Sequence, residues 1–386
     1  MQERRCKALL DWELAGRPSD RLLDVSAFLK RELVEPGKHC HIIGSRNDVM
    51  QCILGPYFAA LGDVLSEIPG ARCIKANSIG KAEYLSEALY GCINVLEDDY
   101  SAWDSTITQF DLGIADRLYH SVFGDLPREV ITALCAHRSS AWKYGCGIRY
   151  TLDGSRVSGD SDTTVGNTII HWCYNHALLV RQNHYPLYDA HNHFEVSGDD
   201  GVLGLSRPAI DLEVLQKCGK EVKAIYRVDP ACTTFCSGIT FPVMLDGVRT
   251  TRYYRLPGRV INRLCFTSQV LSARQAPAQL AYKALSELYA CAGCPVLHAL
   301  AGRVYRDAVI SSTTRPIFDR EVQRRLDLER TVPPIHTVDA ATRLAFAEVF
   351  GVGPAEQIEA ENYLRSFRPG DAIVHPVLAR LARASA

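Results

Sequence analysis

The sequence lacks the features that would assign it at once to a membrane, secreted or disulfide-rich class. It contains no run of about 18 apolar residues, and its N-terminus, MQERRCKALLDWELAGR, carries charges where a signal peptide needs an apolar stretch. Its 14 cysteines follow no regular spacing, which in a chain of 386 residues indicates reduced, buried thiols and no disulfide framework. These absences predict a soluble intracellular protein without a membrane segment of its own. With 47% apolar residues, a globular chain of two or three subdomains is expected.

An overall excess of positive charge is also missing. The net charge of −1 argues, taken alone, against a nucleic-acid-binding protein. The distribution is uneven, however, because residues 251–330 contain 13 lysines and arginines against six acidic residues, and 12 of the 13 are arginine. Carboxylates are dense at 95–104 and 195–200. The basic segment either binds a polyanion, for which arginine is the better partner, or forms a solvated helical surface.

The first acidic stretch is VSGDD, residues 196–200. The flanking segments HFEV and GVLGL are short and apolar or alternating, which predicts a strand, a tight turn and a second strand. Asp199 and Asp200 would then lie at the tip of a hairpin. Such a tip is either a hydrated turn or faces a cation, and the second alternative requires further carboxylates elsewhere.

The second acidic stretch is INVLEDDYSAWDSTI, residues 93–107. A buried strand is predicted from Ile93 to Leu96, with Asp99 at its end, and a helix begins near Ser105. Asp104 lies between them. A strand that ends before a helix exposes side chains to a ligand, although acidic residues at a helix start are also common for structural reasons.

The third stretch is RVSGDSDTTVGNTIIHWCYNHALLVRQ, residues 156–182. Ser158 and Gly159 indicate a turn, and a long, mostly buried helix follows from Val165. A calcium loop beginning at Asp160 does not fit, because the required glycine comes one place late and the twelfth residue is histidine. Thr163 and Asn167 are four residues apart and share one helix face, where their neutral groups suit a sugar or backbone.

In this order the three stretches resemble motifs A, B and C of viral RNA-dependent RNA polymerases. DYSAWDSTI and SGDSDTTVGN are most similar to positive-strand RNA viruses of the tombusvirus-like and flavivirus-like group. The resemblance continues in KCGKEVKA (217–224) as motif D, TTFCSGITFPV (233–243) as motif E and GKHCHIIGSRNDV (37–49) as motif F. It covers about 27–245, and amphipathic helices expected at 277–291, 338–350 and 355–367 suit a thumb.

The resemblance implies an α+β fold, a right-hand polymerase with an antiparallel-sheet palm, partial fingers and a helical thumb. The expected subdomains are partial fingers with motif F at 1–80, palm with motif A at 81–120, a fingers insertion at 121–155, palm with motifs B to E at 156–248, and thumb at 249–386.

The implied activity is template-directed RNA synthesis, in which nucleotides are transferred from NTPs to an RNA 3′-hydroxyl with two Mg²⁺ ions, Mn²⁺ being an alternative. The implied catalytic residues are Asp99, Asp199, Asp200 and Lys223, the lysine as proton donor to pyrophosphate. The implied metal ligands are Asp99, Asp199 and Asp200. The implied substrate-binding residues are Asp104, Ser158, Gly159, Thr163, Asn167, Lys38 and Arg46.

The implied partners are an RNA template, the product strand and NTPs. Because the chain begins almost at motif F, we expect the remaining fingers or other viral replication proteins to be supplied elsewhere, at membrane-associated replication complexes in the host cytoplasm. Two alternatives stay open. A reverse transcriptase is disfavoured by Asp104 at the sugar position and by Gly198 before the aspartates. An inactive, polymerase-derived RNA-binding module is the second.

Overall fold

The structure, a computed structural model, describes residues 2–30, 40–230, 233–245, 247–267, 270–312, 315–317, 319–332 and 337–383. Fifteen α-helices are described: α1 Gln2–Leu14, α2 Asp48–Leu65, α3 Ser78–Ala88, α4 Trp103–Thr106, α5 Gln109–Phe123, α6 Arg128–His137, α7 Thr163–Arg181, α8 Glu213–Lys217, α9 Pro257–Arg263, α10 Gln275–Ala290, α11 Leu297–Ser311, α12 Arg320–Glu329, α13 Ala340–Phe350, α14 Pro354–Ser366 and α15 Pro376–Arg383.

Eleven β-strands are described: β1 Asp24–Leu29, β2 Ile42–Arg46, β3 Asn94–Tyr100, β4 Ser139–Tyr144, β5 Arg149–Asp153, β6 Phe194–Ser197, β7 Asp200–Leu205, β8 Val222–Arg227, β9 Thr234–Phe235, β10 Gly238–Leu245 and β11 Val248–Arg255. The chain divides into two compact units. The first unit contains Met1–Ile74 and Ala88–Tyr226, and the second contains Lys75–Glu87 and Arg227–Ala386. Helices with mostly antiparallel strands agree with the α+β expectation, while the palm, fingers and thumb ranges stay predictions.

The first unit contains two four-stranded sheets. One has the order β2-β1-β4-β5, in which β1 pairs antiparallel with β2 and parallel with β4. The other has the order β6-β7-β3-β8, in which β7 pairs antiparallel with both β6 and β3. Strand β7 is buried along Gly201–Leu205, so both faces of this sheet are covered there.

Helix α7 is the central helix of the first unit. Its buried side chains lie on more than one face, which is typical of a helix surrounded by other elements. It packs against strand β6 and against helices α2 and α5. The same apolar core contains Leu96 of β3, Ile170 of α7 and Leu203 of β7, so this core fixes the helix relative to the sheet.

The second unit combines an antiparallel sheet, β11-β10-β9, with helices α9 to α15. Phe241 of β10 and Phe346 of α13 lie in its core and contact each other edge to face. Cys236 and Ser237, with φ of 48° and 57°, form the turn between β9 and β10, as in a type I′ hairpin. The segment that resembles motif E thus forms a strand pair, and the three amphipathic helices expected at 277–291, 338–350 and 355–367 are confirmed as α10, α13 and α14.

Several arginines of the basic segment are paired inside the second unit. Arg252 is almost completely buried, donates to Ser78 and forms an ion pair with Glu329. Arg255 and Arg325 both pair with Glu287. These contacts stabilise the unit, so the local surplus of arginine overstates the positive charge that this segment offers to a polyanion.

Most cysteines are at least partly exposed. Each described cysteine carries a free thiol, but only Cys73, Cys291 and Cys294 are buried, so the expectation of buried thiols was wrong for most of them.

Among the described residues, no helix has both the length and the apolar character needed to span a bilayer.

Candidate active site

The β6-β7 hairpin has the turn predicted from VSGDD. Ser197 pairs with Asp200, so Gly198 and Asp199 form a two-residue loop. Gly198 has a φ of +70°, a conformation that favours glycine and is typical of the first turn position in a type II′ hairpin. Strand β3 lies beside β7, and its Asp98 pairs with Gly201. One step further in this antiparallel register sets Asp99 opposite Asp200.

Three exposed carboxylates therefore occupy one end of this sheet. Asp99 lies at the end of β3, Asp199 in the hairpin turn and Asp200 at the start of β7. The carboxylates of Asp99 and Asp199 make no hydrogen bond or ion pair with any residue that the structure describes. Adjacent carboxylates repel each other unless a cation lies between them, and oxygen ligands of this kind suit Mg²⁺, which keeps several of its waters.

Helix α7 fixes the hairpin from below through two buried side chains. The hydroxyl of Thr168 accepts a hydrogen bond from the amide of Gly198 at 2.8 Å. The ring of His171 lies 2.7 Å from Asp98 Oδ2 through Nε2 and 3.2 Å from the Gly198 carbonyl through Nδ1. Burial alone would lower the pKa of His171, but Asp98, the Gly198 carbonyl and Asp199 together raise the pKa above its usual value. One helix thus connects the ends of β3 and β6.

Gly201 is required for this contact. A Cβ atom at position 201 would lie 2.1 Å from Asp98 Oδ1 and 2.5 Å from the ring of His171. Any side chain there would displace the histidine or the aspartate. Gly201 therefore allows Asp98 and His171 to pack against the strand next to the turn.

Asp104 and Asn167, which the resemblance implies as substrate-binding residues, contact each other. Asn167 Nδ2 donates to Asp104 Oδ1 at 2.9 Å, across 63 residues of sequence. Burial raises the pKa of Asp104, against the stabilising effect of Asn167 and Arg156, and the nearby Asp199 carboxylate raises it further. Asp199 is thus one of the charges that act on Asp104.

A buried arginine, Arg156, lies directly behind this pair. Its Nε donates to Asn167 Oδ1 at 3.1 Å, and its Nη1 donates to Asp162 Oδ2 at 2.6 Å. Its backbone amide also donates to the carbonyl of Asp104. Sequence reasoning missed this residue, because an arginine before a glycine-containing turn gives no sign of which distant side chains it will meet.

The loop before α7 is held by its own polar groups. The Thr163 hydroxyl lies 2.9 to 3.1 Å from the carbonyls of Val157, Ser158 and Asp160. Ser158 Oγ accepts from the amide of Gly44 at 3.3 Å. Gly159 lies so close to strand β2 that a Cβ atom would be 2.3 Å from the Gly44 carbonyl. In this structure these residues shape the loop, and their contact with a nucleotide stays a prediction.

Arg46 lies at the end of β2 and is almost completely buried. It forms a two-point ion pair with Asp160, at 2.8 and 3.2 Å, and donates to the carbonyls of Ser139 and His137. The structure does not bring its guanidinium to the exposed carboxylates, and its contact with substrate stays a prediction. Lys38, the other basic residue predicted from motif F, lies outside the described residues.

His137, Asp160 and Asp162 form a compact buried group that has the geometry of a metal site. Within the described part of the chain it is the group of three whose candidate ligand atoms all lie within 4.8 Å of one another. Asp160 is paired with Arg46 and Asp162 with Arg156. Burial opposes the charged imidazolium of His137, but the two aspartates raise its pKa to about 9. Two guanidinium groups and an imidazolium thus already neutralise two carboxylates, so a divalent cation does not fit here.

The two lysines of the motif D segment differ in their surroundings. Lys223 lies exposed on β8 and makes no hydrogen bond or ion pair with a described residue. Lys220 is fully buried, pairs with Asp111 at 2.9 Å and donates to the carbonyl of Thr106 at 2.7 Å. Burial lowers the pKa of Lys220 despite the opposing effect of Asp111. Lys220 therefore ties this segment to the start of α5, a contact that sequence reasoning missed.

In comparisons with known proteins, residues 98–370 match the family described as viral RNA dependent RNA polymerase. The matched range covers 273 of the 386 residues and includes the candidate site from Asp99 to Lys223, whereas Arg46 precedes it. No curated protein matches the chain.

Proposed function

The chain belongs to the viral RNA-dependent RNA polymerase family, and we propose that it extends an RNA 3′-end on an RNA template at the end of the β6-β7-β3 sheet. Members of this family are nucleotidyltransferases that act in viral replication. The observation that supports this site best is the presence of exposed carboxylates on β3 and on the β6-β7 turn, together with the hydrogen-bonded pair of Asp104, which is partly exposed, and Asn167, which is buried.

In the proposed reaction, the 3′-oxygen of the growing RNA attacks the α-phosphorus of an NTP. The bond from that phosphorus to the oxygen bridging to the β-phosphate breaks, and pyrophosphate leaves. Two Mg²⁺ ions, or Mn²⁺, held by Asp99, Asp199 and Asp200, would favour loss of the 3′-hydroxyl proton and neutralise the triphosphate when bound. We assign Lys223 as the proton donor to pyrophosphate, because its exposed ammonium is free to approach that group.

The protein's own groups position the reactants. We propose that Asp104 and Asn167 bind the ribose, since a 2′-hydroxyl can donate to the carboxylate and accept from the amide. Ser158, Gly159 and Thr163 would shape the loop that contacts the nucleotide. Arg46 would support that loop through Asp160, and we keep Lys38 as a candidate contact for the triphosphate.

Finer assignments extend this proposal. The sequences of motifs A and B support assignment of the chain to the tombusvirus-like and flavivirus-like group of positive-strand RNA viruses. We further propose the palm, fingers and thumb arrangement of a right hand. An RNA template, product strand and NTPs would be the partners, and other viral replication proteins would recruit the chain to membrane-associated complexes in the host cytoplasm.

A primer-extension assay tests the proposal. The purified chain would be given a labelled RNA primer annealed to an RNA template, with Mg²⁺ or Mn²⁺ and either ribo- or deoxynucleotides. We expect template-dependent RNA product, which is lost in Asp199→Asn and kept in Asp125→Asn, a change at an exposed aspartate outside the site. DNA product from deoxynucleotides would indicate a reverse transcriptase. RNA binding by the chain without any primer extension would indicate a binding module.

A further inference from the structure

Arg156 contacts both residues that we assign to the ribose. Its guanidinium donates to the side chain of Asn167, and its backbone amide donates to the carbonyl of Asp104. The guanidinium is completely buried and is anchored by Asp162, which also accepts from Tyr119 at 2.7 Å. The pKa of Asp162 is held well below its usual value by Arg156 and His137, although burial alone would raise it, so this anchor stays charged.

The orientation of the Asn167 amide matters for sugar recognition. The two ends of an amide have nearly the same shape, but one accepts and the other donates hydrogen bonds. The pKa of Asp104 is raised, and a protonated Asp104 could donate to the amide oxygen and so tolerate a flipped Asn167. A guanidinium has donors and no acceptor. Arg156 can therefore form this hydrogen bond only when Oδ1 of Asn167 faces it.

We propose that Arg156 is a positioning residue for sugar selection, because it fixes the Asn167 amide with its NH₂ group toward Asp104. This inference rests on the proposed role of Asp104 and Asn167 in binding the ribose. A fixed pair is ready to bond an incoming 2′-hydroxyl, whereas a pair that rotates freely would lose part of its preference for ribonucleotides.

Gly166 gives independent support, since it leaves the space that the guanidinium occupies. A Cβ atom at position 166 would lie 2.4 Å from Arg156 Nη2 and 2.8 Å from both Asp162 Oδ2 and the Tyr119 hydroxyl. Glycine lies here inside α7, where it weakens a helix relative to alanine. A Gly166→Ala substitution would therefore push the guanidinium aside without removing a charge.

The test measures incorporation efficiency, kcat/KM, for a ribonucleotide and for its 2′-deoxy analogue in the same primer-extension assay. Arg156→Lys keeps the charge that pairs with Asp162 but lacks the planar fork that also reaches Asn167. We expect Arg156→Lys and Gly166→Ala to lower the ribo-to-deoxy ratio by about fivefold or more, as for one lost hydrogen bond. Asn167→Ala should lower it at least as much.

Two matched controls should keep the wild-type ratio. Tyr119→Phe removes a different bond to Asp162, and Gly113→Ala changes a glycine of α5 that has open space around it. If Arg156→Lys does not fold, as judged by thermal unfolding, Gly166→Ala decides the question.

The outcomes separate the inference from the proposed function. A normal ratio in folded Arg156→Lys or Gly166→Ala, with a lowered ratio in Asn167→Ala, would overturn the role of Arg156 and leave the function in place. An equal loss of kcat/KM for the ribonucleotide and the deoxynucleotide in these two variants would also overturn the role of Arg156, since it indicates general structural damage. An unchanged ratio in Asn167→Ala would instead remove the proposed ribose site, and with it this inference.

Discussion

Two groups of aspartates in the first unit differ in what surrounds their carboxylates. Asp99 and Asp199 are exposed at the end of a sheet and form no ion pair with a described residue. Asp160 and Asp162 are buried, and each is paired with an arginine and approached by His137 at 3.0 Å. We propose that the exposed group binds cations from solution, whereas the buried group is neutralised by cationic side chains of the protein.

This difference shows why compactness is a poor guide to a metal site. The buried group is the tighter of the two, yet its charges are already compensated by cationic side chains. The exposed carboxylates are spread further, which suits ions that retain water and bind substrate oxygens as well. We therefore expect the exposed aspartates to affect catalysis and the buried aspartates to affect stability.

The largest effect is expected from Asp99→Asn or Asp199→Asn. Each substitution removes an anionic ligand, and a loss of at least about 4 kcal/mol in the transition state slows synthesis by roughly 10³-fold or more. Because both side chains are exposed, the unfolding temperature should stay close to that of the wild type. Asp200→Asn should be milder.

Steady-state extension and thermal unfolding of the same preparations check this prediction, with Asp125→Asn as the exposed control. Normal synthesis by Asp199→Asn would contradict the assignment of the catalytic carboxylates.

The next largest effect is expected from Asp160→Asn. It leaves the guanidinium of Arg46 and the imidazolium of His137 buried with one fewer anion, which costs about 3 kcal/mol or more of unfolding free energy. Urea denaturation with Asp125→Asn as control measures this cost. A change no larger than that of the control would mean that the buried group is not held by its ion pairs.

A smaller, pH-dependent effect is expected at His137. Its pKa is raised from 6.5 to about 9 in the folded protein, so its stabilising contribution is complete below pH 6.5 and is lost as the pH rises through 9. At about 1.4 kcal/mol per pKa unit, the upper limit is roughly 3 kcal/mol. The difference in unfolding free energy between wild type and His137→Gln should shrink over this range. A constant difference from pH 6 to pH 9.5 would show that His137 does not titrate as described.

The smallest effect is expected from Mg²⁺ itself. At about ten times its dissociation constant, a bound ion raises the unfolding free energy by about 1.4 kcal/mol. Thermal unfolding with and without Mg²⁺ should show this gain in wild type and in His137→Gln, but not in Asp199→Asn. The reverse pattern, with the gain lost only in His137→Gln, would locate the ion at the buried group.

Much of the site could be predicted because its backbone depends on neighbouring residues. Gly198 allows the positive φ of the hairpin turn, and the apolar runs on either side form β6 and β7 where expected. The predicted helix after the Ser158–Gly159 turn begins at Thr163. Spacing also put Thr163 and Asn167 on one helix face, but it could not show that Thr163 bonds to its own loop while Asn167 reaches Asp104.

By itself, then, the sequence determined the order of the motifs, the hairpin with its two aspartates and three helices of the second unit, because turn chemistry and periodicity act over a few residues. Only the tertiary structure decided which charges meet. It buried Arg46 against Asp160, 114 residues away, placed His171 beneath the Gly198 turn and set Arg156 behind Asn167. Such pairings depend on which distant segments pack together and on the cost of leaving a buried charge without a partner. Neither can be predicted from neighbouring residues in the sequence.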